Sequence, residues 1–191
     1  MFSSVTPEAA KSIASAAQVS SGVPIPPQSL LPILSAADWE QFTHEWLWFY
    51  KDNGTYHDIN KYSGAGDLGL DLVAFTSAKG FDEAWDSFQC KQYGHALQPT
   101  DIYPEVGKII YHSFQKTPPF NQSARIPRRH VFVCPHGVGI TVGRWLKDPR
   151  RFRDEVRKAW ETHCVPKIAK GLTAPLEGDL LAYFDAFDFS V

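Results

Sequence analysis

Three polar residues lie at a spacing that would suit a metal-dependent hydrolytic site. Asp71 stands near the start of an apolar run that extends to Phe75, and Gln89 and Lys91 end the next apolar run along the chain. Side chains two residues apart on a strand share a face of the sheet, so Gln89 and Lys91 are predicted to point the same way. If the two runs form a hairpin, Asp71 can face Gln89 across the strand pair.

A carboxylate, an amide oxygen and an ammonium in one place suit a Mg²⁺ ion and a phosphodiester. Mg²⁺ prefers oxygen ligands, usually one or two carboxylates with water and phosphate. Asp71 would supply an anionic oxygen, Gln89 a neutral oxygen, and the backbone carbonyl of Cys90 a further one. The ion would polarise the phosphoryl oxygen and lower the pKa of a bound water. Lys91 would orient that water or balance the charge that develops on the phosphate.

Each of these residues also has an ordinary structural explanation. An aspartate before a buried strand is often a turn residue. Alternating polar residues such as Gln89 and Lys91 commonly form the solvated face of a strand. The combination favours a site, because three polar residues at matched spacing, inside apolar strands and behind a glycine-rich turn, are hard to explain by solvation.

These residues resemble a known nuclease signature. The segment 64–71, which reads Gly-Ala-Gly-Asp-Leu-Gly-Leu-Asp, and the triplet Gln-Cys-Lys at 89–91 resemble the PD-(D/E)XK superfamily. The similarity is greatest to Mrr-type restriction endonucleases and to related nuclease domains of bacterial anti-phage effectors. It implies that Asp71 binds metal, that Gln89 takes the second ligand position and that Lys91 is the catalytic lysine.

The resemblance also implies a glutamate on the helix before the glycine segment. Glu40, within Trp-Glu-Gln-Phe at 39–42, is the candidate for an assisting catalytic and metal-binding residue, and Glu45 is its rival on the same helix. Together with Asp71, Gln89 and the Cys90 carbonyl, Glu40 completes the predicted metal ligands. Glutamine in place of the second acid leaves the site with one formal negative charge fewer.

For the whole chain, the resemblance implies an α/β fold of the restriction-endonuclease-like type, a mixed central sheet flanked by helices. The implied activity is a Mg²⁺-dependent DNA endonuclease, with Mn²⁺ as a possible substitute, that has little sequence specificity and acts in anti-phage defence. Two alternatives remain open at this stage. One is a non-catalytic DNA-binding or assembly domain of the same fold, and the other is a nuclease that acts on RNA or branched DNA.

Two other motifs are less convincing. Gly64, Gly66 and Gly69 match GxGxxG, but a polar segment precedes them and a strand-like run follows, which is the reverse of a dinucleotide-binding turn. These glycines are better explained by a tight turn or by a close approach to DNA. His130, Cys134 and His136 lie near one another, yet the absence of a CxxC pair argues against a zinc site.

Charge is unevenly distributed along the chain. The whole protein has a formal net charge of −2, whereas residues 125–158 contain 10 basic and 3 acidic side chains, a net of +7. Such a block is either a solvated helix or a phosphate-binding face. Its occurrence in the same chain as a nuclease motif favours a phosphate-binding face. The predicted nucleic-acid contacts are Arg128, Arg129, Arg144, Lys147, Arg150 and Arg151. They would position duplex DNA without reading its sequence.

Length and composition predict one domain with an appendage. Residues 1–34 are expected to be a helix and a Pro/Ser-rich arm, and 35–191 the nuclease domain. The 43% hydrophobic content supports a sizeable core, and three unpaired cysteines favour a cytoplasmic protein. Neither a secretory signal nor a membrane span is expected. Cutting both strands together requires two sites, which predicts a homo-oligomer or a complex with a sensor subunit.

The predicted elements begin with a helix capped by Ser35 and Asp38. Its aromatic stripe is expected in the core and consists of Trp39, Phe42, Trp46, Phe49 and Tyr50. Asp86 is placed in a polar connection between the two central strands. Further predictions are a helix at 102–114, strands at 130–135 and 138–142, and helices at 146–169 and 178–187. The apolar ending 187–191 is taken as a sign of a partner domain or subunit.

Overall fold

A four-stranded mixed sheet forms the centre of the computed structural model, which describes residues 26–62, 68–168 and 173–190 of the 191-residue chain. The strands are β1 (Asp58–Lys61), β2 (Leu72–Phe75), β3 (Trp85–Cys90) and β4 (Arg129–Val133). They follow one another across the sheet in chain order. The first three are antiparallel neighbours and β4 runs parallel to β3. The predicted α/β class with a mixed sheet is confirmed.

Helices precede, interrupt and follow the strands. The α-helices are α1 (Pro27–Leu30), α2 (Ala36–Asp52), α3 (Pro99–Gln115), α4 (Ile140–Trp145), α5 (Pro149–Ala159), α6 (Val165–Ile168) and α7 (Gly178–Ala186). Short 3-10 turns lie at Leu31–Ile33 and Gly80–Asp82, and a π-helical turn at Trp160–Cys164 joins α5 to α6. The predicted order of helix, strands, helix, strand and helix is confirmed, and β1 is an additional strand that was not predicted.

The sheet carries two apolar layers, as the alternation of side chains along a strand requires. Leu72, Ala74 and Phe88 face α2 and pack in a cluster that includes its Leu47. Val73, Phe75 and Trp85 belong to a larger cluster that contains α3 and the helices that follow β4. Each strand residue that faces α2 therefore has a neighbour in the chain that faces α3.

Helix α2 begins as predicted but buries a different face. The Ser35 hydroxyl accepts a hydrogen bond from the Asp38 amide, at 3.1 Å. Trp39 is buried, whereas Phe42, Trp46 and Phe49 are 41%, 42% and 65% exposed, so the prediction that the whole aromatic stripe lies in the core is wrong. The buried positions of the helix are Trp39, Thr43, His44 and Leu47.

The buried face of α2 includes a threonine whose hydroxyl is satisfied within the helix. The Thr43 hydroxyl donates to the Trp39 carbonyl at 2.9 Å, one turn earlier in the same helix. Threonine can therefore be buried without an unpaired polar group, because its hydroxyl bonds within the helix. A pattern of apolar residues alone does not reveal such a position.

Helix α3 matches its prediction closely. It starts three residues earlier and ends one later than the predicted 102–114, and its capping box joins Gln98 and Asp101. Its predicted inner stripe is fully buried: Ile102, Val106, Ile109, Ile110 and Ser113. Helix formation stops at Lys116, which has a left-handed φ of 53°.

Three predicted elements differ from the structure. The segment 138–142 is not a strand, since Val138 makes only an isolated bridge with Leu97 and α4 begins at Ile140. The predicted helix 146–169 is divided into α5, the π-helical turn and α6, and residue 169 lies outside the described part. The Pro/Ser-rich arm is helical from Pro27 onward, while the helix predicted nearer the N-terminus falls outside the described residues.

The apolar C-terminal segment belongs to the core. Phe187 and Phe189 are 5% and 3% exposed, and the Phe189 ring contacts the rings of Phe152 and Phe184. This ending therefore gives no ground for inferring a partner subunit, because these side chains already have partners within the domain. The described part of the chain contains no helix long and apolar enough to cross a membrane.

Candidate active site

The pairing of β2 with β3 brings the first two predicted site residues together. Leu72 is opposite Phe88 in the register, so Asp71, one residue before β2, faces Gln89. The Gln89 side-chain amide donates to Asp71 Oδ2 at 2.7 Å. The backbone N–H of Cys90 donates to the same oxygen at 2.6 Å. The predicted juxtaposition of Asp71 and Gln89 across a hairpin is confirmed.

The oxygen of the Gln89 side-chain amide is not hydrogen-bonded to any described residue. Gln89 is 1% exposed, and its Oε1 has no hydrogen-bond partner among the residues that the structure describes. A buried acceptor without a partner costs free energy, so its presence in a folded protein calls for an explanation, such as an ordered water or an ion. This acceptor lies beside a carboxylate, which is the environment that a bound cation requires.

Lys91 extends the site toward α3. Its Nζ lies 2.9 Å from Glu105 Oε1, and the second carboxylate oxygen of Glu105 lies 2.7 Å from Lys108 Nζ. The three side chains are only 9–12% exposed. Sequence reasoning missed Glu105 and Lys108, although both interrupt the edge of an otherwise apolar helical stripe.

The charge state of Lys91 follows from these neighbours. Burial by itself lowers the pKa of Lys91, but the adjacent Glu105 carboxylate outweighs burial, with a smaller contribution from Asp71, and the pKa is raised above its ordinary value. Lys91 is therefore an ammonium at neutral pH. It can donate hydrogen bonds to an anion but cannot accept a proton from water.

A glycine turn brings the loop before β2 against α3. Gly69 has a left-handed φ of 78°, and a Cβ at this position would lie 2.8 Å from the Ile109 amide nitrogen and 3.0 Å from the Glu105 carbonyl oxygen. Only glycine allows both this φ and this approach. Asp71 follows two residues later, so the turn places it beside the helix that carries Glu105. The prediction that these glycines form a tight turn is confirmed at Gly69, whereas Gly64 and Gly66 lie outside the described residues.

Glu40 of α2 lies on the side of the sheet opposite the face that Asp71 and Gln89 share, and it is paired with a different residue. Its Oε1 is 3.2 Å from Lys61 Nζ at the end of β1. Burial raises the pKa of the Cys90 thiol to about 12, and the Asp71 and Glu40 carboxylates add to this effect. Both carboxylates thus act electrostatically on Cys90, whose side chain stays a neutral thiol.

Two of the predicted DNA-contacting arginines instead bind a buried carboxylate. Arg128 and Arg129 donate to Asp86 at 2.6 and 2.7 Å, and the Tyr56 hydroxyl donates to it at 2.7 Å. Asp86 is fully buried within β3, so its placement in a polar connection was wrong. It lies three residues before Gln89, or about 10 Å along the strand, and on the opposite face. The structure does not bring these arginines to the site.

The other predicted basic residues form an exposed group on α4, α5 and the turn between them. The group consists of Arg144, Lys147, Arg150 and Arg151. Within the described part of the chain, their side chains make no ion pair or hydrogen bond. Trp145 of α4 packs against Tyr103 of α3 with ring centroids 5.6 Å apart. This contact places the group, hereafter the basic surface, beside the half of α3 that carries Glu105.

The donor set suits a hard cation but is small. Among the described residues, no three His, Cys, Asp or Glu side chains are arranged to hold a metal ion. The candidate ligands are one carboxylate, from Asp71, and neutral oxygens, from the Gln89 amide and the Cys90 carbonyl. Mg²⁺ accepts such a set because it commonly keeps several waters. The unsatisfied Gln89 oxygen is the feature of the structure that fits such an ion.

Comparisons with protein-family models, with curated proteins and with solved structures find no match to this chain.

Proposed function

We propose that this protein is a metal-dependent DNA endonuclease of low sequence specificity with a restriction-endonuclease-like fold. One observation carries the proposal. The β2–β3 register gathers Asp71 and Gln89 in direct contact, with Lys91 two residues further on, and leaves the buried Gln89 amide oxygen without a hydrogen-bond partner among the described residues. A carboxylate, an unsatisfied acceptor and a buried ammonium form a set that can bind a divalent cation and a phosphate together.

Each residue has a separate part in this proposal. Asp71, Gln89 and the Cys90 carbonyl would hold Mg²⁺ or Mn²⁺, which when bound would neutralise the phosphate and activate water. Two N–H groups fix Asp71 Oδ2 and so set the orientation of the carboxylate. Lys91, being charged, would donate to the phosphate and stabilise the negative charge that develops during hydrolysis. Glu40, on the α2 side of the sheet, would assist electrostatically, since its carboxylate and that of Asp71 both act on Cys90.

The order of the helices and strands along the chain also supports the proposed fold. The helix, the β2–β3 hairpin, the second helix and the strand that follows it agree with the order predicted from the sequence, and β1 and the parallel pairing of β4 with β3 are additions to that order. The resemblance of 64–71 and 89–91 to the Mrr-type branch then extends the proposal to bacterial anti-phage defence. A double-strand cut would need two such sites, so we propose that the active form is a homo-oligomer or a complex with a sensor subunit.

Metal-dependent cleavage of supercoiled plasmid tests the proposed function. The wild-type protein is expected to nick or linearise the plasmid with Mg²⁺ or Mn²⁺ and to leave it intact with EDTA. Asp71→Asn should abolish cleavage in both metals, because it removes the anionic ligand. Plasmid binding without cleavage by the wild type would instead favour the non-catalytic assembly domain, and cleavage of RNA alone would favour the RNA nuclease.

The basic surface is proposed to position duplex DNA through its phosphates. Removing two of its charges, in Arg150→Ala with Arg151→Ala, should weaken duplex binding and reduce the slope of log K against log salt by about 2, since each phosphate contact contributes about 0.9. Fluorescence anisotropy with a labelled duplex at several salt concentrations measures both quantities.

The same helix supplies a matched control. Arg157 and Lys158 also lie on α5, but they pair with Asp185 and Glu155. Arg157→Ala with Lys158→Ala removes the same charge and should change the salt slope much less. Equal slopes for the two double variants and the wild type would remove the basic surface from the interface.

A further inference from the structure

We infer that Glu105 is a positioning residue that holds the Lys91 ammonium at the reacting phosphate, and that Lys108 in turn holds Glu105. This inference rests on the proposed nuclease function and assigns roles on α3 that the Asp-Gln-Lys pattern does not contain. It identifies the helix as the second wall of the site, opposite the strands that carry Asp71 and Gln89.

The geometry is that of a bridge between two ammonium groups. One oxygen of Glu105 lies 2.9 Å from Lys91 Nζ and the other 2.7 Å from Lys108 Nζ. The carboxylate thus lies between two ammonium groups, although its Oε2 is within ion-pair distance of Lys108 without hydrogen-bond geometry, so the contact with Lys91 is the better oriented of the two. A lysine side chain has four rotatable bonds, so without such an anchor its ammonium would sample many positions.

The side chains of this bridge are much less exposed than those of the ion pairs on the protein surface. Its side chains are 9–12% exposed, whereas Lys79 in the Lys79–Glu83 pair is 70% exposed and Lys158 in the Lys158–Glu155 pair is 71% exposed. Burying charges is costly and a buried ion pair is weak evidence for stability, since apolar residues of similar volume often do as well. Apart from Ser113, whose hydroxyl bonds within the helix, the rest of the inner face of α3 is apolar, so a charged bridge at the turn nearest Lys91 is better explained by the site than by the core.

The charges of the site also fit an anionic ligand. Asp71 and Glu105 carry two negative charges and Lys91 and Lys108 two positive charges, so the four side chains are neutral together. A divalent cation would make the group positive, and a phosphate would then restore balance.

Glu105→Gln tests this role by its effect on kcat rather than on binding. A displaced catalytic group can cost about 100-fold in rate, and we expect kcat for a duplex oligonucleotide with Mg²⁺ to fall about 10- to 100-fold with KM changed less than 3-fold. Glu105→Asp, which keeps the charge on a shorter stem, should recover part of the loss. Glu83→Gln removes an exposed carboxylate from a comparable ion pair and is the control, with kcat unchanged.

A second variant guards against simple misfolding. Glu105→Gln with Lys108→Met keeps the four-residue charge balanced, because one charge of each sign is removed, and it should lose kcat to the same extent while remaining folded. In addition, Glu105→Gln placed on Lys91→Ala should cause no further loss, since the group that it positions is already absent.

The outcomes separate this inference from the proposed function. A wild-type protein that cleaves, together with a Glu105→Gln variant of unchanged kcat, would overturn the inference alone. Losses that multiply in the Lys91→Ala double variant would also overturn it, because a purely structural role acts independently of Lys91. A wild-type protein that cleaves no nucleic acid would overturn the nuclease proposal and, with it, this role of Glu105.

Discussion

Lys91→Met is expected to reduce the single-turnover rate of duplex cleavage about 100- to 1,000-fold in saturating Mg²⁺. The loss reflects the removal of one preorganised donor from the developing charge on the phosphate, for which effects of this size are typical. Methionine keeps most of the stem and removes only the ammonium, so packing against Glu105 and α3 changes little. Duplex affinity should stay within about 3-fold, because the charges proposed to bind the backbone lie on the basic surface.

The ion pairs around Lys91 make this variant interpretable. Glu105 retains Lys108 as a partner at 2.7 Å, so the variant does not leave its buried carboxylate without a cation. Lys79→Met, at an exposed lysine paired with Glu83, serves as the control and should cleave at the wild-type rate. A Lys91→Met protein that is folded and as fast as the wild type would place the chemistry elsewhere and remove the central residue of the proposal.

The core of the site was predictable because strand geometry is strict. Two apolar runs joined by a polar segment predict a hairpin, and the two-residue period then fixes which side chains share a face. Asp71 and Gln89 meet for this reason, and the buried stripe of α3 was predictable from its helical period in the same way. Local pattern is sufficient where one element, or one pair of neighbouring strands, determines the geometry.

The features of the structure that were not predicted depend on contacts between residues far apart in the sequence. Asp86 reads as a loop residue, and only the arrival of Arg128 and Arg129 on the neighbouring strand explains a carboxylate buried in β3. Glu105 and Lys108 read as the solvated edge of a helix until Lys91 is placed beside them. A buried charge is visible in a sequence only if its partner is known, because burial is tolerated only when the charge is paired.

The aromatic residues of α2 show the opposite error, in which exposed apolar residues were predicted to be buried. Phe42, Trp46 and Phe49 were assigned to the core on spacing alone, yet Thr43 and His44 occupy the buried side. Spacing identifies which residues share a helical face, but it does not say which face meets the sheet when one of the buried positions is polar.

The buried Asp86 cluster leads to a prediction on stability that does not involve the proposed site. Asp86→Asn should lower the free energy of unfolding by about 2 kcal/mol at pH 7, because the buried side chain loses its charge-assisted hydrogen bonds while the two half-exposed arginines remain solvated. Urea unfolding followed by fluorescence measures the change. Asp185→Asn, in the exposed pair with Arg157, is the control and should cost less than about 1 kcal/mol.

The effect of Asp86→Asn should also depend on pH. Burial alone raises the pKa of Asp86, but hydrogen bonds from Arg128, Arg129 and Tyr56 outweigh it and hold the pKa below its ordinary value. A carboxyl group with a lowered folded-state pKa contributes stability that is fully present above its unfolded pKa, about 3.9, and is lost as pH falls through the folded value. The difference between wild type and variant should therefore be constant from pH 7 to 5 and shrink below about pH 4. A difference that stayed the same at pH 3 would mean that shape, rather than the Asp86 charge, holds the two arginines in place.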